Sequence, residues 1–219
     1  TGTLNLNGGQ FTVARLYEGL ADPLIVSNVN CNGGKLIVRA GPTNAANFMA
    51  GLDAANVLIG GAKIDTNGVD TTIAQPLLNG GGGGGLTKEG SGILTLTGSN
   101  TYTGATIING GKLNLNAPYN SITATTVNSG ARLRVTTAAT PSSLSDVTVN
   151  ANGGLESNVG AYTIGQLEGI TVTNFNANGD YKVDLAGTGI PTGDITVLTY
   201  TNKTGSGVPS LGTTPTGVI

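Results

Sequence analysis

The chain has 219 residues, 10 Lys and Arg against 12 Asp and Glu, a net charge of −2 and no histidine. Only 10% of its residues are charged, which excludes the clustered basic footprint of a nucleic-acid binder and argues against electrostatic attachment to a membrane surface. Without histidine there is no Ser-His-Asp or Cys-His centre, no imidazole base and almost no zinc chemistry.

Aromatic residues make up 4% and tryptophan is absent, so a core must be built from Leu, Ile, Val and Ala. The 37 glycines follow no Gly-X-Y period, which excludes collagen. Cys31 is the only cysteine; there is no disulfide frame, and the residue reads as a small buried hydrophobe. No stretch approaches the roughly 20 apolar residues that span a bilayer, so no membrane insertion is expected. The opening TGTLNLNGG has neither a charged n-region nor an apolar h-region. If the chain is exported, its signal has been removed or lies outside these residues.

In chain order, one short phrase keeps returning: an apolar residue, Asn, small residues and Gly, then alternating apolar positions. It appears as LNLNGGQFTV at 4–13, VNCNGGKLIV at 29–38 and IGGAKID at 59–65. Further copies are EGSGILTL at 89–96, IINGGKLNL at 107–115, VNSGARLRV at 127–135 and VNANGGLES at 149–157. Aligning the first apolar strand residue of each gives Phe11, Leu36, Ile64, Leu94, Leu113, Leu133 and Leu155, with gaps of 25, 28, 30, 19, 20 and 22 residues.

The alternation is the signal of half-buried strands, and the Gly and Asn before each strand suit turns. Residues 43–58, TNAANFMAGLDAANVL, are the one segment that could form one or two helical turns. A short strand cannot bury its apolar face alone, whereas stacking coil on coil pairs every backbone group and aligns the leucines in a column. The pattern predicts an all-β parallel β-solenoid, with Asn and Thr ladders between coils. The competing architecture is an antiparallel sandwich.

NGGGGGGLTKEG at 79–90 resembles a linker, but the same strand grammar on both sides favours a surface loop. The expectation is a single solenoid over residues 1–219, its terminal coils widening or forming a cap from about residue 158.

The stretch GSGILTLTGSNTYTGATIINGGKLNLN resembles the passenger-associated transport repeat, also called the autotransporter-associated β-strand repeat. Gly92, Leu94, Leu96, Gly98, Asn100, Tyr102, Thr103, Gly104, Thr106, Gly111 and Leu113 occupy the matching positions. Weaker resemblance covers most of residues 50–215. The resemblance implies a right-handed parallel β-helix in a bacterial surface or secreted protein, and says little about activity. The membrane β-barrel that completes a classical autotransporter is not among these residues.

No catalytic, cofactor-binding or metal-binding residue stands out. Asp180 and Asp184 are the closest usable carboxylates for polysaccharide cleavage, but with Lys182 they read as a solvated, mutually screened strand face. Asp65 and Asp70 flank TNGV and suit a turn. GGAKIDTNG at 60–68 has part of a calcium-roll pattern without its repeated register. Arg132 and Arg134 share a strand face and are expected to keep it soluble. Lys88–Glu89 reads as an exposed turn pair, and Tyr102 as a corner-packing residue with a carbohydrate platform as the alternative.

The glycine run lacks the Lys-Ser/Thr of a phosphate loop. NKT at 202–204 fits a glycosylation sequon without meaning in a bacterium. The pairs Thr95/Thr97, Thr101/Thr103 and Thr171/Thr173 suggest ice binding, but the rank breaks on successive coils. The expectation is therefore a non-enzymatic extracellular or cell-surface rod, stalk or adhesin scaffold without cofactor, self-associating head to tail. The alternative is a carbohydrate-binding or polysaccharide-cleaving β-helix, and surface glycans are the other candidate partner.

Overall fold

The computed structural model describes residues 2–17, 27–40, 47–116, 124–136, 142–161, 169–188 and 197–212. Among them there is no helix, and every strand pairing is parallel.

The first coil comprises β1 (Gly2–Leu6), β2 (Gln10–Val13) and β3 (Leu16–Tyr17). The second has β4 (Ser27–Cys31), β5 (Lys35–Val38) and β6 (Met49–Ala50); the third, β7 (Ala54–Val57), β8 (Ala62–Asp65) and β9 (Thr71–Ile73). The fourth has β10 (Leu77–Asn79), β11 (Leu86–Glu89) and β12 (Ile93–Leu96). Later coils carry two strands each. They are β13 (Thr106–Ile108) with β14 (Lys112–Asn116), β15 (Ala124–Val127) with β16 (Arg132–Thr136), and β17 (Ser142–Asn150) with β18 (Gly154–Ala161). The last are β19 (Ile170–Asn178) with β20 (Tyr181–Thr188), and β21 (Leu198–Thr204) with β22 (Pro209–Leu211).

Stacking produces one four-stranded sheet, β1-β4-β7-β10, and two nine-stranded sheets. The first long sheet runs from β2 to β21 and the second from β3 to β22. The chain is a parallel β-solenoid. Its inner columns are aliphatic: Leu94, Leu113, Leu133 and Leu155 are register partners on successive coils, each fully buried. At roughly 1.5–3 kcal/mol per buried aliphatic side chain, the columns stabilise the stack coil by coil.

Outside, side-chain ladders run between coils as the pattern predicted. Asn56 donates to Asn30 and Asn30 to Asn5, at 3.0 and 2.8 Å. Asn178, Asn150, Asn128 and Asn109 form a second chain of amides, and Thr171 meets Thr199 at 3.0 Å.

The repeat alignment needs one correction. Phe11, Leu36 and Ile64 are partners in the first long sheet, but the next residue in that column is Lys88. Leu94 instead stacks on Thr71 in the second long sheet. The 30-residue gap therefore hides a change of face. Both corners of a coil are Gly turns followed by alternating strands, so one phrase can mark either. The helical expectation at 43–58 is also corrected. Where described, this segment forms β6 and β7, with Met49, Ala55 and Val57 buried and paired to neighbouring coils; residues 43–46 lie outside the described residues.

The glycine run forms the turn between β10 and β11, with Gly81, Gly82 and Gly83 exposed, while β8 and β11 pair directly across it. From Ser142 to Thr188 the strands lengthen to eight or nine residues.

The GSNTYTG segment closes the short sheet. Among the described residues no strand follows β10 in that sheet, and side chains and loop backbone take its place. Leu77 N donates to Asn100 Oδ1 at 3.0 Å, and Asn79 N to Thr101 Oγ1 at 3.2 Å. Thr101 N and Tyr102 N both donate to Leu77 O. Tyr102 then turns inward, 1% exposed, with its hydroxyl 2.8 Å from Thr106 Oγ1. Gly104 passes so close to the coil before it that a Cβ would stand 2.3 Å from Gly83 O. The edge is thereby satisfied without another strand.

Candidate functional site

The charged residues are unevenly placed. On the outer face of the second long sheet, Lys112, Arg132, Gly154 and Lys182 are register partners on successive coils. The parallel column runs Asn114, Arg134, Glu156 and Asp184. The alternation of β14, β16 and β18 aims these residues outward, because Leu113, Leu133 and Leu155 point into the core.

Glu156 accepts from Lys112 Nζ at 2.5 Å through Oε2 and pairs with Arg134 Nε through Oε1. Arg132 Nε donates to Asp184 Oδ2 at 3.2 Å, while its Nη1 donates to Ala131 O and Asn152 O at 3.0 and 3.2 Å. Two glycines leave room for this network. A Cβ at Gly154 would stand 2.7 Å from Arg132 Cδ and Nε, and one at Gly212 would stand 1.9 Å from Asp184 Oδ1.

The carboxylates lie underneath and the cations on top. Side-chain exposure is 6% for Glu156 and 8% for Asp184, against 22%, 21% and 23% for Lys112, Arg132 and Arg134. Lys182 is exposed. Lys112, Arg132, Glu156, Lys182 and Asp184 line a groove of about 420 Å³. Toward β9 the same face carries a second hollow of about 300 Å³, lined by Asp70, Thr72, Thr95, Asn114 and Arg134 among others. Each carboxylate of the network is covered and held by a cation, so neither stands open as a general base. Over the larger groove the surface turned to solvent is that of the cations, whereas the second hollow also exposes Asp70.

Arg132 and Arg134 share this face as expected, but they clamp carboxylates as well as keeping it soluble. The solvated triple at 180–184 is corrected: Asp180 and Lys182 are exposed, whereas Asp184 is buried and held by Arg132. Asp180 Oδ1 accepts from Val208 N on the next coil at 3.0 Å. Lys112 and Glu156 did not stand out in the sequence. They are 44 residues apart, and only the coil register would have aligned them.

Lys88–Glu89 is likewise not an exposed pair. Lys88 is fully buried, between Ile64 and Ile108 in its column. Its Nζ donates to Thr66 Oγ1 and to the carbonyls of Glu89, Gly90 and Gly110, at 2.8–3.1 Å. Burial pushes its ammonium down to about 8, with the charges of Asp65 and Asp70 pulling the other way. Glu89 turns outward and pairs with Lys35.

Asp65 Oδ1 accepts from Asn67 N at 2.8 Å in a local turn, and Asp70 Oδ1 accepts from Ile93 N at 2.8 Å on the next coil. No three His, Cys, Asp or Glu side chains converge among the described residues. Tyr102 is interior and cannot serve as a sugar platform; burial pushes its phenol up to about 12, with the Thr106 hydrogen bond opposing. Cys31 is buried, and burial pushes its thiol up to about 11. Asn202 lies in an amide ladder, donating to Asn174 Oδ1 at 2.9 Å. On the charged face the column through Thr72 and Thr95 passes into Asn114 and Arg134, so threonine forms no continuous rank there.

No curated protein and no solved structure matches the chain. Residues 86–115 match the family model of the passenger-associated-transport-repeat. The matched segment runs from β11 through the Asn100–Tyr102 edge closure into β14, so it contains the residues that end the short sheet and Lys88 with three of its four oxygen partners, Glu89, Gly90 and Gly110. A match to the passenger-associated-transport-repeat over residues 86–115, on a parallel β-solenoid, supports a β-helical protein of the surface or secreted class.

Proposed function

We propose that the chain is an extracellular structural rod or stalk, able to act as a scaffold for adhesion. The observation that carries this reading is the parallel pairing of successive coils through two nine-stranded sheets. With neighbouring strands about 4.8 Å apart, nine coils extend about 40 Å along the axis. In such a stack each coil is stabilised by its neighbours, which suits reach and mechanical persistence.

Head-to-tail association extends the same reading. Among the described residues, five of the six exposed large hydrophobics lie on the first and last coils: Phe11, Tyr17, Tyr200, Val208 and Leu211. Stacking β21 and β22 of one copy on β2 and β3 of the next covers them and pairs the edge backbone groups.

Negative-stain electron microscopy of the purified chain is expected to show short rods at low concentration and end-to-end chains of rods at high concentration. Monodisperse particles at every concentration would remove the association. Turnover of any polysaccharide in a reducing-sugar assay would replace the structural reading with an enzymatic one.

A further inference from the structure

We infer that the charged groove on the second long sheet binds a linear acidic glycan bearing uronate-type carboxylates. This goes beyond the scaffold reading, since a rod needs no ligand. Four of the chain's ten cationic residues, Lys112, Arg132, Arg134 and Lys182, line the two hollows with three carboxylates, Glu156, Asp184 and Asp70, on a protein whose net charge is −2. In the larger groove the carboxylates, Glu156 and Asp184, are the buried members, so a ligand approaching there meets the cations first; the exposed Asp70 lies in the second hollow.

The buried pairs also fix the cations in place. A desolvated ion network is costly to build, and here two glycine positions make room for it. Glu156 holds Lys112 and Arg134, and Asp184 holds Arg132, so the positive surface is organised before anything binds.

The layout selects the class of ligand. Lys112 and Lys182 are three coil steps apart in one column, about 14 Å at the strand spacing. One coil spacing, about 4.8 Å, is comparable with the advance of one pyranose residue, so carboxylates spaced along a linear glycan can meet the cations of β14, β16 and β20. Thr72, Thr95 and Asn114 continue the face with hydroxyl and amide groups suited to sugar hydroxyls. Among the described residues no aromatic side chain lines either hollow to stack a nucleobase. The inner strands of the sheet are paired on both sides, which leaves no free edge for an added peptide strand.

The test is calorimetric titration of the full chain with an oligogalacturonate, a neutral glucan oligosaccharide of the same length, and inorganic phosphate. The oligogalacturonate is expected to bind at low ionic strength, the neutral glucan not to bind, and phosphate to compete only weakly. Raising NaCl to about 0.5 M is expected to weaken the uronate complex through screening. Lys112→Gln with Lys182→Gln is expected to lower affinity about tenfold or more, while Lys63→Gln on the other long sheet leaves it unchanged. Lys182→Gln alone breaks none of the ion pairs above and is expected to give a severalfold loss, which keeps the test valid if the double variant fails to fold. No uronate binding, equal binding of the neutral glucan, equally strong phosphate competition, or a Lys63→Gln effect as large as that of the double variant would each overturn the inference. None of these results bears on the rod reading, which is judged by particle shape.

Discussion

Arg132 lies across Gly154 and reaches Asp184 two coils further on, with Nε 3.2 Å from Oδ2. The glycine between them leaves the guanidinium its path, because a Cβ there would stand 2.7 Å from Arg132 Cδ and Nε and the side chain would have to shift. Gly154→Ala is expected to displace the guanidinium and cost about 1–2 kcal/mol in chemical denaturation. Combined with Arg132→Ala, the second change should cost less than it does alone, since the clashing side chain is gone. Strict additivity would show that Gly154 serves the backbone and not the arginine.

Lys88 is an interior ammonium whose partners are oxygens of three successive turns. Lys88→Met keeps most of the volume but removes the donor to four oxygens, and a loss of about 2 kcal/mol is expected. The pH dependence has a definite sign. The folded protein releases this proton near 8 and the unfolded chain near 10.5, so the unfolded state binds more protons between those values. Stability from this residue therefore rises with pH across that window. Denaturation midpoints from pH 7.5 to 10 should show the gap between wild type and Lys88→Met widening, and a narrowing gap would contradict it.

Ser157 faces the core between Val135 and Leu185, and its Oγ is the one buried side-chain polar atom without a partner among the described residues. Ser157→Ala removes that desolvated hydroxyl and is expected to stabilise the solenoid by about 1 kcal/mol. The measurement is the shift in urea midpoint at constant slope.

Tyr102 and Cys31 respond to alkali with the opposite sign to Lys88. Tyr102 keeps its proton to about 12 when folded and releases it at 10.0 when unfolded. Its contribution is complete below pH 10 and is lost as pH rises through that window. The stability difference between wild type and Tyr102→Phe should accordingly shrink between pH 10 and 12. Cys31, pushed from 9.0 to about 11 by burial, should hold about a hundredfold less thiolate than the unfolded chain at pH 8. A thiol reagent such as a disulfide dye is expected to label it only slowly until denaturant is added.

Much of the fold was legible because solenoid coils use local rules. Period-two alternation in LTL, LNL and LRV marked strands whose leucines do stack, and Gly and Asn marked the corners. The alignment failed between Ile64 and Leu94, where identical grammar serves two corners of the coil. Phe48, Met49 and the alanines near them left one or two helical turns open on propensity, but stacking against Ile73 and its neighbours makes them strand.

The site was less legible than the fold. Arg132, Arg134 and Asp184 were visible as charges on strands, but each seemed surface-bound because sequence does not reveal which residue covers another. Lys88 is the clearest case: a Lys-Glu pair on a turn ordinarily stays in water, whereas here the lysine stem continues a core column and its tip is bonded to corner oxygens.

The sequence by itself determined the coil: alternating aliphatics need a buried face, and one short strand cannot supply its own. It also determined, through the absence of histidine, which chemistries were closed. Only the tertiary structure decided how the coils register. That register places Lys112 over Arg132, Glu156 over Asp184, and the carboxylates beneath the cations. The reason is geometric. Strand alternation is a local property, but the partner of each outward residue lies about twenty or more residues away, one coil along the axis.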